Sequence, residues 1–168
     1  MAHRRVELGT LLLVAASTLL ASSCGSDDDP GSPDGSVGAE TDAPVCVAPG
    51  DSFSVGVAKT STSGLTVSIE DANPAPPGIG HNAWRIKITD RAGNPVVGAT
   101  VNFALYMPPP HGHDMPGTTG NDTGNGVYSS GDLNFLMPGL VDITVQVAVP
   151  GGQPDKVLFE FCVQRKGN

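Results

Sequence analysis

Between Met107 and Pro116 the chain reads Met-Pro-Pro-Pro-His-Gly-His-Asp-Met-Pro, two imidazoles framed by two thioethers. Sulfur and imidazole donors suit copper, Cu(I) above all, whereas calcium or magnesium calls for oxygen ligands. His111 and His113 are two apart, so on an extended segment both point to one side, and Met115 keeps the same alternation. Gly112 between them tolerates backbone angles that bring both rings onto one ion. His81 and Met137 add donors from elsewhere in the chain. The expected metal ligands are therefore His111 and His113, then Met115, with His81, Met107 and Met137 behind them. Each has a structural alternative. Met107 and Met137 fall in core-facing register, where methionine fills irregular gaps. His81 can serve as a hydrogen-bonding group at a strand end, and the His111/His113 pair can order a proline-rich loop through main-chain carbonyls. Sulfur–histidine zinc patterns are absent. So are Gly-x-Ser-x-Gly, His-Glu-x-x-His and a phosphate-cradling loop, and no nucleophile sits at a recognisable position beside Asp114; the expectation is a protein that is not an enzyme.

The elements that must position these donors are short and β-like. Phe53–Val57 and Leu65–Ile69 alternate apolar and polar residues around a Ser63-Gly64 turn. A proline-rich loop over 73–78 leads to His81, after which Trp84, Ile86 and Ile88 face one way and Arg85, Lys87 and Thr89 the other. Asp90–Pro95 is a turn. Val101, Phe103, Leu105 and Met107 continue the inward face, followed by a loop over 108–126. Val127-Tyr128 with Leu133–Phe135 form a further segment. Val141, Ile143, Val145, Val147 and Val149 give a strict period of two, and Phe159, Phe161 and Val163 close the fold. The pattern predicts an all-β, immunoglobulin-like Greek-key β-sandwich of about seven strands over residues 46–168, with Trp84 in its core.

Residues 1–23 read as an export signal: Arg4 and Arg5, then an apolar run from Leu11 to Ala21, too short and interrupted for a membrane span. Leu20-Ala21-Ser22-Ser23-Cys24 resembles a bacterial lipobox, with Ser23 where Gly or Ala is usual. Lipidation of Cys24 is the expectation, ordinary signal cleavage nearby the alternative. Residues 24–45 are Gly, Ser, Pro and Asp with almost nothing to bury, a disordered acidic tether. With Cys24 acylated, Cys46 and Cys162 remain as an even pair. In an exported protein they are expected to form a disulfide, metal ligation being the other use of them. Removing Arg4, Arg5 and Glu7 from nine basic and seventeen acidic residues leaves seven and sixteen, a net charge near −9. Such a balance excludes nucleic acid, whose phosphates require a basic face.

One family matches this order of features. Pro76-Pro77-x-x-Gly80-x-Asn82-x-Trp84, Asp90-x-x-Gly93-x-Pro95, Met107-Pro108, His111-Gly112-His113, Gly126-x-Tyr128 and Phe135-x-Met137-x-Gly139 together resemble the YtkA-like/FixH-like domain over about residues 74–163. The run of three prolines before His111 and Val141 in a place where members often carry Trp depart from its pattern. The resemblance implies an exported or membrane-tethered β-sandwich, linked to copper handling and respiratory oxidase assembly. The sequence reading is thus a lipoprotein of the bacterial cell envelope, on the outer membrane or the periplasmic face. It binds copper through a Met/His loop and meets a copper-handling or oxidase-assembly partner. The alternative is a metal-free accessory or adhesion module that binds a protein through its loops.

Overall fold

The computed structural model describes Cys46 and residues 50–164. The export signal over 1–23, the lipidation of Cys24 and the tether over 24–45 lie outside the described residues. Ten strands follow in chain order: β1 (Ala58–Thr60), β2 (Thr66–Asn73), β3 (Gly80–Thr89), β4 (Thr100–Met107), β5 (His113–Thr119), β6 (Asn121–Gly124), β7 (Val127–Ser129), β8 (Leu133–Phe135), β9 (Gly139–Ala148) and β10 (Asp155–Val163). They form two antiparallel sheets. One has the order β1-β2-β3-β7-β6, with β8 pairing the first residues of β3 beyond the end of β7. The other has the order β10-β9-β4-β5. The chain crosses between sheets after β3, β5 and β8, the topology of an immunoglobulin-like sandwich.

The alternation read from the sequence is realised as burial. On β9, Val141, Ile143, Val145 and Val147 are sealed from solvent, and on β3 so are Trp84, Ile86 and Ile88. Residues of a strand point alternately to its two faces, so one face of each sheet supplies the core. Phe103, Phe135, Phe159, Phe161 and Tyr128 fill the space between the sheets. Tyr128 also ties its sheet to the chain before β4: its hydroxyl donates to the Val96 carbonyl and accepts from the Ala99 amide, both at 3.0 Å. This buried tyrosine satisfies its polar end on the backbone of a crossing connection, as buried hydroxyls must.

Three expected elements differ from the sequence reading. Phe53–Val57 is not a strand; the Val57 amide turns back to the Ser54 carbonyl around Gly56 at φ +93°, and the regular register with β2 starts at Ala58, after Gly56 and Val57 exchange backbone bonds with Ile69. Phe53 is nonetheless placed inward, 5.2 Å from the Phe161 ring and 6.4 Å from Trp84. The stretch 108–126 is not one loop, since it contains β5 and β6. Val127-Tyr128 and Leu133–Phe135 belong to separate strands that pair different halves of β3.

The seam between β1 and β10 is closed by charge, and a disulfide ties Cys46, ahead of β1, to β10. Lys59 pairs with Asp51 and lies over the Phe159 ring at 5.7 Å, while Asp51 accepts from the Glu160 amide at 2.8 Å. Cys46 and Cys162 form a disulfide spanning 116 residues. In the chain-entropy account, closing a loop of that length stabilises by about 4–5 kcal/mol. Replacing both cysteines by serine is expected to lower the denaturation free energy by about that amount in a urea titration, with the midpoint moving and the slope rising as the unfolded chain expands.

Candidate metal site at the β4–β5 end

The register of β4 and β5 places the donors. Met107 stands opposite His113, Tyr106 opposite Asp114 and Leu105 opposite Met115. Directly opposed residues of an antiparallel pair share a face. Met107 and Leu105 are buried on the inner face, so His113 and Met115 lie on that face too, while Asp114 points out. Met115 is buried and His113, at the strand's first position, is half-buried.

The turn over 108–112 carries His111 back over this end. The Pro108 carbonyl accepts from the amides of His111 at 3.3 Å and Gly112 at 3.4 Å. Gly112 sits at φ +60°, a left-handed conformation that glycine adopts without a Cβ penalty. The result brings the His111 and His113 rings to a centroid separation of 6.3 Å, with their planes nearly perpendicular. Metal–nitrogen bonds of about 2 Å on opposite sides of one ion would place two imidazole centroids roughly 6 Å apart. Ring twist about those bonds is free, so perpendicular planes are no obstacle. Among the described residues no three His, Cys, Asp or Glu side chains form a metal cluster. The further donors at this end are thioethers.

Met107 is fully buried, and its Cε marks the limit of the site toward the turn before β9: a Cβ on Gly139 would come within 2.8 Å of it. Gly139 has φ +145°, a backbone conformation that favours glycine, and a Cβ there would require the end of the Met107 side chain to shift. Met137, two residues earlier, is partly buried and packs against the core. His81 is placed elsewhere. On β3 its neighbours Asn82 and Trp84 point inward, and His81 points out from the other sheet, its side chain 80% exposed. Its Nδ1 meets both carboxylate oxygens of Asp132, at 2.8 and 3.0 Å. The fold thus brings together His111, His113, Met107 and Met115, with Met137 on the adjoining turn, and sets His81 on the outer face of the opposite sheet.

Two supporting residues, Asn82 and Gly139, entered the sequence reading only as motif positions, with no role assigned. Asn82, buried at an inward position, accepts from the Gly78 amide at 3.0 Å and donates to the Gly78 and Gly80 carbonyls at 2.7 and 2.8 Å. It clamps the proline-rich loop against the start of β3; a polar residue in the inward series 82, 84, 86, 88 was its available signal. Gly139 was visible only as part of a turn.

A carboxylate row crosses the outer face of the second sheet at the same end. Glu160 is opposite Asp142, Asp142 opposite Tyr106, and Tyr106 opposite Asp114. Asp142 Oδ1 is buried with no hydrogen-bond partner among the described residues. Burial first, and the Glu160 charge second, push the Asp142 carboxyl above the ordinary carboxylate range.

With this geometry in view the chain is defined as an all-β, immunoglobulin-like sandwich whose β4–β5 end gathers imidazole and thioether side chains. A family model described as YtkA-like matches residues 61–146, just over half of the 168 residues, and the chain belongs to that family. No curated protein matches it. Among solved structures it is similar to the soluble domain of PmoD from Methylocystis sp., at 15% identity, covering 64% of this chain and 96% of that one with a TM-score of 0.43.

A raised carboxyl pKa favours the protonated native state, so the contribution of Asp142 to stability is greatest below its unfolded pKa and is lost as pH rises through its native one. Asp142→Asn is therefore expected to raise the melting temperature at about pH 7.5 and to have little effect near about pH 3, below the carboxyl's unfolded-state pKa. Thermal melts across that range check it.

Proposed function

We propose that this protein is an exported, lipid-anchored protein of the bacterial cell envelope that binds copper as Cu(I) and hands it on. The observation that carries the reading is the pairing of His111 and His113 at 6.3 Å over an end whose inner face presents Met107 and Met115. Imidazole and thioether are soft, neutral donors, so they favour a soft monovalent ion and offer little to calcium or magnesium. His111 and His113 are the primary ligands, Met115 and Met107 supply sulfur from the core side, and Met137 is close by in the chain fold. His81, held by Asp132 on the other sheet, lies outside this set.

Several features of the chain support the location. The lipobox-like Leu20–Cys24 run supplies an anchor, and an acidic, proline- and glycine-rich segment of some twenty residues separates it from Cys46. A lipoprotein's several acyl chains hold a domain firmly at a membrane, which one chain alone does not. Gly25 after the anchor cysteine suits outer-membrane sorting. The partner in this reading is a copper-handling or respiratory oxidase-assembly protein. Nothing in the set of side chains at the site calls for a reaction: it is a binding site, and copper is its cargo.

An anaerobic Cu(I) titration against a chromogenic competing chelator tests the proposal. The expected result is one Cu(I) per chain, lost in His111→Ala/His113→Ala, with zinc and calcium giving no comparable effect. Binding to the native state alone also raises stability, by about 2.7 kcal/mol when free ligand is a hundredfold above Kd, so the melting temperature of the wild type rises with Cu(I) and that of the double variant does not. Absence of binding beyond the competitor would overturn the copper reading and leave the pair as loop architecture on a protein-binding surface.

A further inference from the structure

The two imidazoles are not equivalent. His113 begins β5, is half-buried, and is fixed in register opposite the sealed Met107 and two residues from the buried Met115. His111 is exposed and lies on the turn; among the described residues it has no strand pairing, and its amide meets the Pro108 carbonyl at 3.3 Å. One ligand is built into the sheet and the other stands between the site and solvent. Building on the copper reading, we infer that His111 is the exchangeable ligand, the group that an acceptor protein's own soft donor replaces during transfer, while His113 with the two thioethers retains the ion.

The chemistry of the exchange is balanced without a redox partner. A lone pair from the acceptor's thioether, imidazole or thiolate forms a bond to Cu(I) as the bond from the His111 ring nitrogen breaks. Copper stays Cu(I) and no electron moves. If the acceptor donor begins as a thiol, its proton passes to the freed His111 ring. The direction of approach follows from burial: Met107 is backed by Gly139 and the core, so an acceptor reaches the ion from the His111 side. A half-exposed site of this kind also explains why the outermost donor is carried on a turn. A turn moves at smaller cost than a paired strand, because few buried contacts resist it.

The test uses the full chain loaded with one Cu(I), mixed anaerobically with bathocuproine disulfonate as the acceptor in a stopped-flow instrument. Wild-type transfer is expected to accelerate in proportion to acceptor concentration, the mark of entry before departure. His111→Ala is expected to raise Kd by only about tenfold and to speed transfer by about threefold or more; His113→Ala is expected to raise Kd by over a hundredfold, roughly 3 kcal/mol. X-ray absorption on the loaded His111→Ala protein should show one nitrogen fewer with sulfur scattering kept. His113→Asn, which keeps a polar side chain of similar width at the strand end, should reproduce the loss seen in His113→Ala while circular dichroism remains native. A transfer rate independent of acceptor, or equal losses from the two single variants, would overturn the inference and leave copper binding standing. A wild type that holds no Cu(I) would overturn both.

Discussion

Everything at the histidine end depends on the register in which β4 pairs with its neighbours. β4 is bonded to β9 on one side and β5 on the other, and both pairings put its odd-numbered residues into the core. Because the side-chain period of a strand is two, a slip of one residue on β5 would turn His113 and Met115 out to solvent and bring Asp114 in. Burial of Leu105, Met107 and Met115 against the facing sheet forbids that slip. The hydrophobic core therefore acts as the ruler by which an imidazole and two thioethers are brought to one face.

Around that ruler the structure is rigid in ways that do not involve the donors themselves. The Asn82 clamp organises the connection into β3 with three hydrogen bonds, each of which would otherwise leave a buried polar group unmatched. The Lys59–Asp51 pair closes the β1–β10 seam, and the disulfide ties Cys46, ahead of β1, to β10. Gly139 sets how closely the turn before β9 approaches Met107. In the proposed copper reading, an end held this way would gain from preorganisation, since little side-chain freedom is left to be lost on the sheet side. The turn bearing His111 is outside the strand pairing, its amides at 111 and 112 meeting the Pro108 carbonyl.

Where the sequence reading and the fold part company, the reasons are local. Phe53–Val57 alternates like a strand, but Gly56 adopts a positive φ that breaks the extension, while Phe53 and Val57 still pack against the core. β5 and β6 were hidden because Pro116, Gly117, Gly120 and Gly124 are depleted from strands in general, and an edge strand needs partners on one side only. The alternation His113–Met115 was legible, yet whether it continued a sheet or lay in a loop depended on its pairing with Met107 and Leu105 of the preceding strand. His81 shows the same limit from the other side: its residue type suggested ligation, and its exposed partner Asp132 lies fifty-one residues away.

The sequence by itself determined the class of fold, because a period-two pattern over seven segments has only sheet solutions, and it determined which residue types could hold a soft ion. It also offered Cys46 and Cys162 as a disulfide pair, with metal ligation as the alternative, and the fold joins them as a disulfide. The tertiary structure alone decided which donors meet. Inner and outer faces are set by long-range pairing and burial, which no local spacing encodes: Met107 and His113 share a face because two strands are in register. His81 leaves the group because its own strand turns it outward, away from the core that Asn82 and Trp84 enter.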